Sequence, residues 1–138
     1  DSLLGATPLW LAARFSEPQI MEALLAAGAN PLVVNDVYYP AERRGENFMA
    51  EEGEISLLMA SVGMGHRRLR VSWGTPERRA GQTGQDQESL ILDTVTVAVR
   101  AGVDLNASDA ADQTALAFAK ARRYDSVVAF LLTAGARE

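Results

Sequence analysis

One interval occurs twice in this chain of 138 residues and constrains its fold more than any other feature. Thr7 stands 21 residues before Gly28, and Thr114 stands 21 residues before Gly135. Both intervals open on a threonine followed by a small residue or proline and then leucine, and both close on Gly-Ala. An internal repeat of this length indicates stacked units, because one unit alone cannot bury its apolar face.

Each interval has the pattern of two short helices. Thr7 can accept a hydrogen bond at a helix N-terminus, and the proline that follows it costs no helical hydrogen bond there. Pro18 starts a second helix in the same way, and Gly28 supplies its left-handed stop. In the last unit, Asp125 or Ser126 is the expected cap of the second helix. The pattern predicts an all-α chain of helix-turn-helix units.

These segments resemble the ankyrin repeat, whose pattern is roughly G-x-T-P-L-H-x-A-A, a turn, V-V-x-L-L-L-x-x-G-A and then D-V-N-A. The link from Gly102 to Asp109 is similar to the turn between repeats of that family. Gly102 also lies 12 residues before Thr114, which completes a period of 33. The resemblance implies an α-solenoid of stacked units with β-hairpin-like turns between them. It also implies a scaffold that binds other proteins and has no catalytic activity.

The resemblance divides the chain, as a single domain over 1–138, into units at about 4–36, 52–109 and 111–138. The middle unit is degraded. Ile55 stands opposite Thr7 in the alignment, and it precedes Gly102 by 47 residues instead of 21. The excess forms an insertion over 62–88, and a second excess extends the preceding turn into a finger over 31–52. The last helix carries an apolar face that nothing after it covers. Either the array continues beyond this sequence, or another chain or the insertion covers that face.

The finger and the insertion are the expected recognition elements, since connecting segments carry binding residues while the scaffold positions them. Paired tyrosines on the finger would make good interface anchors, or they could fold back with Phe48 and close a small satellite core. The insertion holds five arginines against three acidic residues. These could contact an acidic protein, the acidic finger, the chain's own scaffold or nucleic acid. A net charge of -5 and a pI near 4.9 disfavour nucleic acid.

The candidate partner-binding residues lie on the groove that the resemblance implies and on the two long connections: Trp10, Arg14, Phe15, Tyr38, Tyr39, Arg67, Arg68 and Trp73. Trp10 and Phe15 could equally be packing residues. The expected partner is another protein. The alternative is a structural or accessory subunit that stays docked in a larger assembly.

The sequence contains no constellation typical of catalysis or metal binding. It has no cysteine, and His66 is its one histidine, so neither a thiolate nor a histidine pair is available. Gly63 begins a G-x-G sequence that lacks the preceding strand and third glycine of a dinucleotide fingerprint, and it is interpreted as a helix stop. No apolar run approaches the roughly 18 residues that span a bilayer. We therefore expect no enzymatic activity, cofactor, metal or membrane span.

Overall fold

The computed structural model describes residues 5–37, 53–64 and 84–137. Helices dominate these ranges, and the two strands are short. The elements in chain order are α1 (Pro8–Arg14), α2 (Pro18–Ala26), β1 (Asn35–Val37), β2 (Gly53–Ile55), α3 (Leu57–Val62), α4 (Gly84–Arg100), α5 (Ala115–Arg122) and α6 (Asp125–Ala134). The chain therefore has a mostly helical repeat fold, as the sequence predicts.

Three helices begin with the same side-chain cap. The hydroxyl oxygens of Thr7, Ser56 and Thr114 accept hydrogen bonds from the backbone N–H three residues later, at 3.2, 3.3 and 3.2 Å. The cap expected at Thr7 is thus confirmed. The alignment of Ile55 with Thr7 is wrong by one residue at the cap, because an isoleucine side chain has no acceptor and Ser56 supplies the hydroxyl instead. Ile55 is the last residue of β2.

The same three helices, α1, α3 and α5, also end alike. The residue at or just after the end of each helix has a left-handed backbone, with φ of 55° at Ser16, 99° at Gly63 and 58° at Arg123. In each case the next N–H bonds a carbonyl five residues back, at 2.9 to 3.0 Å, which satisfies one of the orphan groups at the helix end. The helix stop expected at Gly63 is confirmed. So is the stop expected at Gly28, where φ is 93°.

The helices pack in two rows. In one row α3 contacts both α1 and α5, and in the other α4 contacts both α2 and α6. Within each unit the first helix packs on the second, and α1 against α2 is an example. Ala13, Ala60 and Ala119 are fully buried, which is the burial expected where small residues let helices approach closely. The buried residues form one continuous core along both rows.

The two strands form the base of the finger. β1 and β2 pair antiparallel, with Asn35 opposite Ile55 and Asp36 opposite Glu54. Residues 38–52, which connect them, lie outside the described residues. On the other side of β2, Gly53 approaches Ala110 in the turn before α5, where a Cβ atom at Gly53 would come within 3.1 Å of the Ala110 Cβ. β2 is therefore packed against the turn that precedes α5.

The second helix of the middle unit is longer than its counterparts. α4 has 17 residues, against nine in α2 and ten in α6. The expected insertion over 62–88 overlaps two helices, because Val62 belongs to α3 and residues 84–88 belong to α4. Residues 65–83 lie outside the described residues.

Glu88, near the start of α4, caps α6 across the units. The carboxylate Oε1 of Glu88 accepts hydrogen bonds from the backbone N–H of Ser126 at 2.8 Å and from its hydroxyl at 2.6 Å. The expectation that Asp125 or Ser126 caps this helix is wrong. Tyr124 occupies the N-cap position without a side-chain capping bond, and Asp125 is the first helical residue. The cap of α6 is instead the carboxylate of Glu88, which the longer α4 brings to the N-terminus of α6.

Candidate binding surface

The eight predicted site residues fall into two groups. Three lie in described parts of the chain, and Tyr38, Tyr39, Arg67, Arg68 and Trp73 lie outside the described residues together with His66. The structure therefore gives positions for Trp10, Arg14 and Phe15 and leaves the others as sequence predictions.

Trp10 occupies the core at the centre of α1. Its side chain is 1% exposed, and the indole Nε1–H donates a hydrogen bond of 2.9 Å to the backbone carbonyl of Ile55. That bond links the first unit to the strand that leads into the middle unit. The sequence left two roles open for Trp10, partner binding and packing. Its position favours packing, because so little of the ring faces solvent.

Arg14 and Phe15 lie at the end of α1. Arg14 is 5% exposed and takes part in an interaction within the protein, while Phe15 is half-buried at the C-cap. Arg14 also lines a small cleft of about 30 Å³ between the ends of α1, α3 and α5 and the first half of α4. Ligand sites for whole metabolites are about tenfold larger or more. This cleft could accept one small polar group of a partner.

The far wall of the cleft is formed by a stacked pair on α5. The guanidinium carbon of Arg122 lies 5.0 Å from the centre of the Phe118 ring, a cation–π contact between residues four apart on one helix. Neither residue is among the contact residues that the sequence predicts. The spacing of four residues between Phe118 and Arg122 can be read from the sequence. Their proximity to Arg14 cannot, because it depends on how the helices pack.

A run of exposed aliphatic residues precedes the finger. Leu32, Val33 and Val34 are 65, 39 and 44% exposed, and they lead directly into β1. Single exposed aliphatic residues are ordinary on protein surfaces, whereas contiguous ones mark contact sites. The run lies within the finger that the sequence predicts, but none of its residues was a predicted contact residue. Its signal in the sequence is the succession of three aliphatic residues shortly after the helix stop at Gly28, where turn residues are expected.

Charged groups flank this run. Asp36 and Glu54 are exposed and lie directly opposite each other across the two strands. Like charges in this position destabilise a strand pair, by roughly 0.2–1 kcal/mol. The finger base, by which we mean Leu32, Val33, Val34, Asp36 and Glu54, thus combines an aliphatic surface with two adjacent carboxylates.

Two further observations concern chemistry. Within residues 5–37, 53–64 and 84–137, no three His, Cys, Asp or Glu side chains come close enough together to hold a metal ion. Among the described helices, none is both long and apolar enough to cross a membrane.

The repeated caps and helix ends have a counterpart among known families. The ankyrin repeat family model matches residues 4–36, which contain α1, α2 and the start of β1. Residues 4–36 are therefore identified as an ankyrin repeat. No curated protein matches the chain. Ankyrin repeats generally serve as protein–protein interaction modules.

Proposed function

We propose that this chain is an ankyrin repeat protein that serves as a protein-binding module without catalytic activity, built as a short α-solenoid of three units. The ankyrin repeat over residues 4–36 is the observation that carries the proposal. The solenoid arrangement is supported by the shared hydroxyl caps and left-handed ends of α1, α3 and α5, and by the two rows of helix contacts. Equivalent local geometry at three places is the result expected of a repeat that was duplicated and then elaborated.

Under this proposal, the partner contacts the elaborated connections instead of the shared scaffold. The predicted units at 4–36, 52–109 and 111–138 are retained as one domain. Tyr38 and Tyr39 on the finger and Arg67, Arg68 and Trp73 on the insertion remain the proposed contact residues. Trp10 is better assigned to the core. Arg14 remains a candidate through the cleft that it lines.

The test is affinity capture of partners from a lysate of the native source, with wild-type protein, a variant lacking 65–83 and the double variant Tyr38→Ala/Tyr39→Ala. Quantitative mass spectrometry compares recovered proteins between the three. We expect at least one protein that wild type enriches and that one of the variants loses. Recovery of the same proteins at equal strength by all three would contradict binding through these connections. Circular dichroism of each variant provides the folding control.

A structural or accessory subunit that stays docked in a larger assembly is the second candidate. It is favoured by large aliphatic side chains on the second row of helices, where Ile20 on α2 and Leu132 on α6 are 51 and 47% exposed. Size-exclusion chromatography with light scattering separates the two candidates. A stable monomer supports reversible binding, and aggregation that a co-expressed partner prevents supports permanent docking.

A further inference from the structure

The turn that follows the second helix of a unit occurs twice in the described residues, after α2 and after α4. The two copies together indicate which residues the turn conformation requires. Gly28 and Gly102 have left-handed backbones, at φ of 93 and 85°. Two residues later, the side-chain Oδ1 of Asn30 accepts from the N–H of Leu32 at 3.0 Å. Asp104 accepts in the same way from Asn106 at 2.9 Å. The two turns therefore share the left-handed glycine and the side-chain hydrogen bond that follows it.

Corresponding positions in the two turns carry residues of different polarity. The second turn has Asn106, Ala107 and Ser108, of which the first and last are exposed polar residues. The first turn has Leu32, Val33 and Val34 at those positions, all exposed. Because the second turn forms with polar residues, the aliphatic side chains of the first are not needed for its geometry. A contiguous exposed aliphatic run that the turn itself does not require is a candidate contact site.

We propose that the finger base, defined as Leu32, Val33, Val34, Asp36 and Glu54, docks a segment of a partner protein that presents aliphatic side chains beside a lysine or arginine. The inference deepens the proposed function and rests on it. The aliphatic run supplies the apolar contact. The two carboxylates beside it select for positive charge, since their mutual repulsion is relieved when a cation lies between them.

The charge of the finger base also decides against a second copy of this chain as the occupant. A twofold contact through this surface would bring the same carboxylates of both copies together, and the chain as a whole has a net charge of -5. A partner with a basic and aliphatic segment has neither cost. Asp36 follows Val34 by two residues and is exposed like it, so one short segment can reach both the apolar and the charged part.

The experiment uses a peptide library displayed on phage as the probe and selects binders with the wild-type protein. Selected peptides are synthesised and their affinities are measured by fluorescence anisotropy. The key variant is Leu32→Asn/Val33→Ala/Val34→Ser, which installs the residues of the second turn in the first. The charge variant is Asp36→Asn/Glu54→Gln. The control is Leu132→Ser, which removes an exposed aliphatic side chain on α6.

We expect the selected peptides to combine aliphatic and basic residues. Loss of the aliphatic run should weaken their binding by about tenfold or more, since burying one such side chain is worth about a factor of ten. The charge variant should weaken binding up to about fivefold, as for exposed ion pairs, and should reduce its salt dependence. Leu132→Ser should bind like wild type. The urea midpoint of the aliphatic-run variant should stay close to that of wild type, because the side chains are 39 to 65% exposed.

Four results would overturn the inference. Selected peptides that are acidic, or that bind the aliphatic-run variant as tightly as wild type, would place recognition elsewhere and leave the proposed function standing. A dimer in light scattering that the aliphatic-run variant abolishes would identify a second copy as the occupant. A large drop in the urea midpoint of that variant would show that the run packs on the chain itself. Failure of both this selection and the lysate capture would instead remove the proposed function.

Discussion

Replacing Trp10 with phenylalanine tests whether the link between the first and middle units stabilises the fold. The indole N–H bonds the Ile55 carbonyl at 2.9 Å in a buried position, between residues 45 apart in sequence. Phenylalanine keeps an aromatic ring but cannot donate. A buried acceptor left without its partner costs about 1–3 kcal/mol, and the smaller ring adds a cavity term of about 1 kcal/mol. We therefore expect Trp10→Phe to lower the free energy of unfolding by about 2–4 kcal/mol.

Urea denaturation followed by far-ultraviolet circular dichroism is the appropriate assay, because Trp10 is one of two tryptophans and its removal alters fluorescence directly. The matched control is Asn106→Ala. The Asn106 side chain also accepts a long-range backbone bond, from the Arg137 N–H at 2.7 Å, but that bond is exposed. Water replaces an exposed partner, so the control should change stability by less than about 0.5 kcal/mol. If Trp10→Phe changes stability no more than the control does, the buried hydrogen bond is not a stabilising link and the argument from burial fails.

Two further predictions concern helix ends. Arg123 has a left-handed backbone at φ 58°, where a Cβ atom is unfavourable, so Arg123→Gly should raise the free energy of unfolding by about 0.5–1 kcal/mol in urea denaturation. A decrease would contradict the left-handed cap. Glu88→Ala should cost about 1 kcal/mol through loss of the cap on α6, as removal of an N-cap does. Ser126→Ala should cost less in the Glu88→Ala background than in wild type, and equal costs in a double-mutant cycle would exclude the hydroxyl contact.

Features set by neighbouring residues were predictable. The hydroxyl cap of Thr7 and the stops at Gly28 and Gly63 all depend on contacts within five residues, and the structure has each of them. Ser16 and Arg123 have the left-handed backbone that glycine adopts most easily, although both carry side chains. Their identity alone did not predict this conformation.

The candidate site was less predictable, because exposure and proximity depend on packing. Trp10 is an aromatic residue of the kind that anchors interfaces, and only the packed structure shows that it is buried and bonded to the Ile55 carbonyl. The aliphatic run at Leu32 is continuous in sequence, but its importance depends on knowing that it is exposed. The opposition of Asp36 and Glu54 depends on strand register across a connection of 15 residues, 38–52.

The mostly helical repeat fold and most of the helix starts and stops could be predicted from the residues, because they follow from a period in the sequence and from hydrogen bonds that close within one or two turns. Three features required the packed chain: the cap of α6 by Glu88 from 38 residues away, the burial of Trp10, and the proximity of aliphatic and acidic groups at the finger base. Each depends on which surfaces meet when the helix rows stack, and no residue spacing specifies that contact.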